Sequence, residues 1–231
     1  MSRTRRSSFT QAALSGVCGV LALTSCGGGT HKEEASPTPG PLIAVADACD
    51  SALRSEATAA QKLLGTSQVA LGPAKYQASL QQMTKLLRAD TPLDAAAAKT
   101  RSLCAVRPKG SQSWLSITFQ WEPFGGAPPK SGSTTYSTEY QGIGYAASSR
   151  DDDVLIDFSC RIPNAGQNDG HNLYVRAAAD TEGLNALPRP RKREAQLRVL
   201  HAAAVSVATA LKCSTNLPSK LGTLKPQPLA K

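Results

Sequence analysis

The amino-acid sequence predicts an α+β domain: helices first, then an antiparallel meander of about five strands, then one long helix packed on the sheet. Three patterns indicate this order. Apolar residues recur at helical spacing in the first half, alternate with polar residues in the middle, and return to helical spacing from Arg193 to Lys212. Helices, a sheet and a closing helix in this order form a two-layer arrangement.

Two helices are predicted before the sheet. The first is short and ends at Gly65, and the second begins after Gly72-Pro73 and ends at Asp90. Their apolar stripes consist of Leu53, Ala57, Ala60 and Leu64 in the first helix and of Tyr76, Leu80, Met83 and Leu87 in the second. Stripes of this spacing are typical of helices that pack on a core.

Strict alternation predicts the strands. From Ser113 to Trp121 every second residue is apolar, and the same holds from Val154 to Ile162, so each segment is a half-buried strand. Weaker alternation at 103–106, 142–147 and 173–175 indicates the others. The segments 150–153 and 164–170 between later strands are rich in turn residues, which favours antiparallel neighbours.

The closing helix carries a long apolar side, which predicts that it covers one face of the sheet. That side consists of Leu197, Leu200, Ala204, Val207, Ala208 and Leu211. After it, residues 214–231 contain prolines and lysines but no acidic residue. We expect these residues to form a disordered basic tail, because such a composition buries little apolar surface.

The first 25 residues have the composition of a secretory signal. A basic start with Arg3, Arg5 and Arg6 precedes an apolar run at 12–23, which is shorter than the roughly 20 residues that a transmembrane helix needs. Arg5-Arg6 leaves general export and twin-arginine export both open. The run ends in Leu23-Thr24-Ser25-Cys26, which resembles the lipobox of bacterial lipoproteins. The resemblance implies that residues 1–25 are removed and that the Cys26 thiol carries the lipid anchor.

Composition divides the remaining chain into a linker, one domain and the tail. Residues 26–42 are rich in glycine and proline and form a flexible linker. Residues 43–213 are enough for a single domain with its own core. The formal charge of the whole chain is +9, but the basic residues are not interleaved with exposed aromatic ones, so no nucleic-acid partner is predicted.

Four cysteines fall in the predicted domain, and no two of them form a Cys-x-x-Cys pair. In an oxidising compartment such a set indicates two disulfides rather than a metal or redox site, and three pairings are possible in principle. The predicted order of elements places Cys49 at the head of the first helix near Cys104 on the first strand. It likewise places Cys160 on a central strand near Cys213 at the end of the last helix. We therefore predict the pairs Cys49–Cys104 and Cys160–Cys213.

Motifs of catalysis and metal binding are absent from the sequence. There is no Gly-x-Ser-x-Gly and no His-Glu-x-x-His, and the three histidines, His31, His171 and His201, lie far apart. The acidic segment 151–153 and the segment 168–170 have turn chemistry rather than the alternate spacing of a calcium loop. No catalytic residue, metal site or cofactor is therefore predicted.

Aromatic residues cluster around the loop at 125–135 and form the predicted binding surface. They are Trp114, Trp121, Phe124, Tyr136 and Tyr140. Aromatic side chains on loops can bind flat ligands or glycans, whereas those within a sheet are usually part of the core. The sequence leaves both alternatives open.

Residues 48–213 also resemble the uncharacterised exported lipoproteins of actinobacteria. The resemblance depends on a cysteine leading an alanine-rich helix that ends in Leu63-Leu64-Gly65-Thr66, a second cysteine opening a strand, and two later cysteines. It implies a non-enzymatic, sensor-like domain on the outer face of the cell membrane, with an unidentified envelope ligand or protein as its partner. A wall-modifying hydrolase with dispersed active groups is the alternative, and a structural spacer is a third class.

Overall fold

The structure is a computed structural model that describes residues 41–90, 99–122, 136–141, 143, 145–149, 153–162 and 174–228. The helices are α1 (Ala57–Leu64), α2 (Leu80–Ala89) and α3 (Arg189–Leu211). The strands are β1 (Leu42–Ala44), β2 (Gln68–Leu71), β3 (Arg101–Pro108), β4 (Trp114–Glu122), β5 (Tyr136–Gln141), β6 (Tyr145–Ser149), β7 (Val154–Ser159), β8 (Tyr174–Glu182) and β9 (Lys225–Pro228). The predicted α+β fold, with an antiparallel sheet and a C-terminal helix packed on it, is confirmed.

The described strands form one antiparallel sheet in the order β1-β2-β3-β4-β8-β7-β6-β5-β9. Two meanders, β1–β4 and β5–β8, are joined where β4 pairs with β8, from Trp114 opposite Glu182 to Glu122 opposite Tyr174. The prediction of about five strands in one meander is therefore too low. The prediction did not include β5, and the outermost strands β1 and β9 have only three or four residues each, which is too short for an alternating pattern to be recognised.

The core lies between the helices and one face of the sheet, which we call the helix face. Alternate residues of β4 are fully buried there, from Leu115 to Trp121. Residues of α1, α2 and α3 belong to the same apolar cluster. The indole Nε1 of Trp121 donates to the carbonyl oxygen of Leu87 at 2.7 Å, which fixes α2 on this face. The opposite face carries the half-buried Ser116, Thr118 and Gln120 and is called the open face below, although Leu155 and Asp157 on its β7 part are buried.

Local signals define the helix ends. The predicted start of the second helix directly after Pro73 is wrong: residues 74–76 form a separate 3-10 turn, so Tyr76 lies outside α2, which begins at Leu80. At α2 the Ser79 hydroxyl accepts from the Gln82 amide at 3.1 Å while the Gln82 side chain accepts from the Ser79 amide, a capping box. Gly65 ends α1 at a φ of 68°, as predicted. The helix α3 begins four residues before the predicted Arg193, at Arg189, because Pro190 fits the first helical turn.

Both predicted disulfides are present. Cys49–Cys104 joins the segment before α1 to β3, and Cys160–Cys213 joins the end of β7 to the end of α3. Their Cα–Cα distances of 5.2 and 4.9 Å lie in the usual range. The bridged residues are 55 and 53 positions apart, and loops of this length correspond to about 4 kcal/mol each in the chain-entropy model.

The first disulfide sits in an unusual backbone segment. Cys49, Asp50 and Ser51 all have positive φ values, of 57°, 56° and 62°, although none is glycine. Each such residue costs roughly 1–2 kcal/mol. The Asp50 carboxylate accepts from the Leu80 amide at 2.7 Å, so the segment is held to the start of α2 as well as to Cys104.

The prediction of a disordered tail is wrong for residues 214–228. Ser214 forms a bridge with Arg161, Leu217 is buried, and β9 pairs with β5. Main-chain pairing does not depend on side-chain hydropathy, so composition did not reveal it. At the other end β1 begins at Leu42, the last residue of the predicted linker. Residues 1–40, with the predicted signal and lipobox, lie outside the described residues.

Candidate functional site

Mostly polar side chains line the open face of the two central strands. On β4 they alternate with the core residues, and each is half-buried: Trp114, Ser116, Thr118, Gln120 and Glu122. On β8 the exposure increases along the strand, from Tyr174, Arg176 and Ala178, which are half-buried, to Asp180 and Glu182, which are exposed. The two faces of the same strands therefore differ in chemistry as well as in exposure.

Arg176 lies at the centre of this surface. Its Nε and one terminal nitrogen donate to the two carboxylate oxygens of Asp157 at 2.9 and 2.8 Å. Its other terminal nitrogen lies 2.9 Å from Oε1 of Glu122. The sheet register brings Arg176, Asp157 and Glu122 together. Arg176 stands opposite Asp157 on β7 and opposite Gln120 on β4, and Glu122 is the next residue on the same face of β4.

Two further side chains extend these contacts across the sheet. Gln120 donates through Nε2 to Oε1 of Glu122 at 2.7 Å, and the Thr100 hydroxyl donates to Oε1 of Gln120 at 2.6 Å. The five side chains form a continuous hydrogen-bonded row from the start of β3 to β7. We call this row, Thr100, Gln120, Glu122, Asp157 and Arg176, the Arg176 network.

Asp157 is the most deeply buried residue of the network. Its carboxylate has no solvent exposure, whereas 27% of the Arg176 side chain and 22% of the Glu122 side chain are exposed. Burial raises the pKa of Asp157, and the nearby Glu122 carboxylate raises it further, while Arg176 opposes both. An enclosed carboxylate whose two oxygens both accept from one guanidinium can orient that guanidinium but cannot itself reach a ligand.

An aromatic corner lies on the same face at the first residue of β4. The rings of Trp114 and Tyr76 meet edge to face with centroids 6.4 Å apart, and the Lys75 ammonium lies 4.7 Å from the Tyr76 centroid. Among the described residues, no hydrogen-bond partner is found for the buried indole Nε1 of Trp114. A buried donor without a partner costs about 1–3 kcal/mol.

The structure corrects the predicted aromatic binding surface. Trp121 is 1% exposed and Tyr140 is 6% exposed, and both belong to the core. The reason for Trp121 is its place in the alternation, which puts it on the same face as Leu115 and Phe119. Phe124 lies outside the described residues, and of Tyr136 only the backbone in β5 is described. Among the predicted residues whose side chains the structure describes, Trp114 remains the candidate for contact with a ligand.

Sequence patterns missed the Arg176 network, although one signal was present. Asp157 interrupts the apolar run from Val154 to Phe158, and a charged residue in such a run needs a buried partner. Its partner Arg176 could not be identified from the sequence, because β7 and β8 are paired only in the folded sheet.

His201, which appeared isolated in the sequence, is buried on α3. Its Nε2 lies 2.8 Å from the carbonyl oxygen of Pro218, and burial lowers the pKa of its imidazole. His31 and His171 lie outside the described residues, as does Cys26. His201 thus contacts the C-terminal segment rather than the open face.

No protein family, curated protein or solved structure matches this chain. Within the described part of the chain, no group of three or more His, Cys, Asp or Glu side chains is arranged to hold a metal ion. None of the helices in the described ranges combines the length and apolar character needed to cross a bilayer. Function has to be inferred from the residues and their geometry.

Proposed function

We propose that this protein is a lipoprotein anchored through Cys26 to the extracytoplasmic face of the cell membrane, and that its domain binds an envelope ligand or partner without catalysing a reaction. One observation carries the binding part of the proposal. All three described helices belong to the core on the helix face, while the open face carries the hydrogen-bonded Arg176 network. Ordered polar side chains on a sheet face favour recognition of a polar ligand.

The sequence of the amino terminus supports the anchor. The basic start, the short apolar run and the lipobox at 23–26 occur in the order of a lipoprotein signal. The linker that follows has an end-to-end distance of roughly 20 Å if it is flexible, so the domain would stay near the membrane. The two disulfides fit an oxidising compartment outside the cytoplasm.

The anchor is tested by membrane fractionation of the Cys26→Ser variant. We expect the variant to leave the membrane fraction after a high-salt wash and to lose incorporation of labelled palmitate, because only a thiol can carry the thioether lipid. Cys18→Ser is the matched control, since it removes the other cysteine of the amino-terminal region. Retention of Cys26→Ser in the washed membranes would disprove anchoring at this position.

Preorganisation supports binding through the open face. The Arg176 guanidinium is held by two carboxylates, and the Gln120 amide is held by Thr100 and Glu122. Side chains that are already ordered lose less conformational entropy when a ligand arrives. The Arg176 and Glu122 side chains are 27% and 22% exposed, so a ligand can contact part of each.

The binding role is tested with the soluble Cys26→Ser chain and isolated cell envelopes. We expect Gln120→Ala to weaken binding to the envelopes by about fivefold, which corresponds to roughly 1 kcal/mol for one hydrogen bond. Gln61→Ala is the matched control, because Gln61 is an exposed glutamine on α1. Equal binding by the two variants would exclude Gln120 from the interface.

A wall-modifying hydrolase is the second candidate, favoured by the proximity of two carboxyl groups, Asp157 and Glu122. Carboxyl pairs of this kind act as acid and base in hydrolysis. Enclosure of Asp157 leaves only Glu122 accessible, which argues against such a mechanism. Loss of wall hydrolysis in Glu122→Gln, with envelope binding retained, would favour the enzyme.

A further inference from the structure

Residues 218–223, which follow α3 and precede β9, are attached to α3 by two side chains of that helix. Nε2 of His201 lies 2.8 Å from the carbonyl oxygen of Pro218, and Arg198 donates to the carbonyl oxygen of Gly222 at 3.3 Å. Among the described residues, no backbone–backbone hydrogen bond joins this segment to the rest of the chain. We call residues 218–223 the latch.

The chain on either side of the latch is held more firmly. Before it, Ser214 and Arg161 exchange two backbone hydrogen bonds of 2.9 and 3.0 Å, and Leu217 is buried in the core. After it, Leu224 packs partly against the core and β9 pairs with β5. The latch itself is mostly exposed. Its middle can therefore move away from α3 while both of its ends stay in place.

The latch covers a buried imidazole, that of His201, which is 3% exposed. Because a carbonyl oxygen only accepts, the neutral ring carries its proton on Nε2, and a second proton on Nδ1 would place a full charge in this site. Burial lowers the pKa of His201 below its ordinary value of 6.5. The hydrogen bond to Pro218 raises it and the Arg198 charge lowers it again, which leaves it below 6.5. The closed latch therefore favours the neutral imidazole.

The charged groups around His201 belong to several elements. On α3, Arg198 lies one turn before His201 and contacts Glu194 at 3.1 Å and Glu56, just before α1, at 3.8 Å. On the latch, Lys220 is exposed, and the charged residues of β7 and β8 lie on the open face. The charged residues of α1 and α2 are exposed as well: Lys62, Lys85 and Arg88. Arg198 is thus the charge that acts on His201, and as an arginine it keeps this charge at every pH of interest.

We propose that the latch is a pH-sensitive switch, which lies on α3 while the His201 imidazole is neutral and leaves α3 when the imidazole gains a second proton. In the open form water hydrates the charged ring, so the ring binds the proton more tightly there than under the latch. The closed form therefore loses stability as the pH falls from 6.5 through the pKa of the covered ring. In that range the opening equilibrium rises by up to about tenfold for each pH unit. The proposal is independent of the proposed function.

The test measures trypsin cleavage after Lys220 in the soluble Cys26→Ser chain between pH 7.5 and pH 5.0, because a protease cuts a segment that has left its neighbours. The matched variant is His201→Gln, whose amide can donate to Pro218 but does not titrate. The ratio of the two cleavage rates, parent over variant, cancels the pH dependence of trypsin. We expect this ratio to rise by at least about threefold on acidification, between pH 6.5 and the pKa that NMR measures for His201.

Two controls separate opening of the latch from unfolding. Cleavage after Arg198 needs α3 to unfold, and slow amide exchange at Ser214 reports the attachment before the latch, so neither should depend on His201. A peptide of residues 214–226 gives the pH dependence of trypsin alone, so the parent chain remains a test if His201→Gln does not fold. The proposal is overturned if cleavage after Lys220 shows no such rise, if cleavage after Arg198 rises with it, or if His201 titrates at or above 6.5 in the folded chain.

Discussion

Two aspartate–arginine pairs in this protein have the same hydrogen-bond geometry, but the pKa of the aspartate shifts in opposite directions in the two pairs. In Asp90–Arg101 the guanidinium donates to both carboxylate oxygens, at 2.5 and 2.7 Å, and in Asp157–Arg176 it does so at 2.9 and 2.8 Å. The hydrogen bonds from Arg101 lower the pKa of Asp90. Burial instead raises the pKa of Asp157, despite its partner. An ion pair alone therefore does not decide the sign of a pKa shift.

The difference between the pairs has two physical causes. The Asp90 side chain is 9% exposed and the Asp157 side chain is 0% exposed, so Asp157 loses more of its hydration on folding. Asp157 also has a second carboxylate, that of Glu122, near its own arginine. The first pair joins the end of α2 to the start of β3 and contributes to stability. The second pair orders the open face at a cost in stability, as candidate binding sites often do.

The largest expected effect follows from removing the arginine of the enclosed pair. We predict that Arg176→Met lowers the free energy of unfolding by about 3–5 kcal/mol at pH 7, because it leaves Asp157 buried and without its partner. Urea denaturation measures the change. The double variant Asp157→Leu with Arg176→Met is the control and should unfold within about 1 kcal/mol of the wild type. A single variant as stable as the double one would show that Asp157 is not enclosed.

A smaller effect is expected at the more exposed pair. We predict that Arg101→Met lowers the free energy of unfolding by about 1 kcal/mol at pH 7, since the Asp90 side chain, unlike that of Asp157, is 9% exposed and water can partly replace the guanidinium. The same urea titration measures this change. A loss as large as that of Arg176→Met would contradict the comparison, because the two pairs would then be energetically equivalent.

The smallest effect is the pH dependence of each pair, and the two signs differ. The pKa of Asp90 lies below its ordinary value of 3.8, so its contribution is present above that pH and is lost as the pH falls through the folded-state pKa. The pKa of Asp157 lies above 3.8, so the folded state binds the extra proton, and stability is lost as the pH rises from 3.8 through the folded-state pKa.

Unfolding of Asp90→Asn and Asp157→Asn between pH 7 and pH 3 separates the two signs. On acidification, the stability of the wild type should fall relative to Asp90→Asn and rise relative to Asp157→Asn. Each asparagine variant serves as the control for the other, because both remove one carboxylate from an arginine pair. Slopes of the same sign would mean that burial does not dominate at Asp157.

Much of the fold was predictable because its signals are local. The glycine stop at Gly65 and the alternation along β4 each act within a few residues. The disulfide pairing was predictable from the order of the elements, which brings each cysteine near its partner. Local signals failed for β9, because a strand of four residues with two prolines has no recognisable pattern until β5 lies beside it.

The candidate site was less predictable, because it depends on which strands are neighbours. Alternation along β4 placed Trp114 and Trp121 on opposite faces, yet the predicted binding surface included both, and only the structure showed that Trp121 is buried. The meeting of Glu122, Asp157 and Arg176 did not, since these residues come from three strands that pair across the join between two meanders.

By itself the sequence determined the α+β class and the glycine stop of α1, because these depend on periodicity and capping, while the anchor at Cys26 stays a prediction from a short motif. Only the tertiary structure decided that Asp157 is enclosed, that Cys49 to Ser51 adopt left-handed backbone and that β9 closes the edge of β5. Burial, strain and strand partners are properties of residues distant in sequence that become neighbours on folding. No local pattern encodes them.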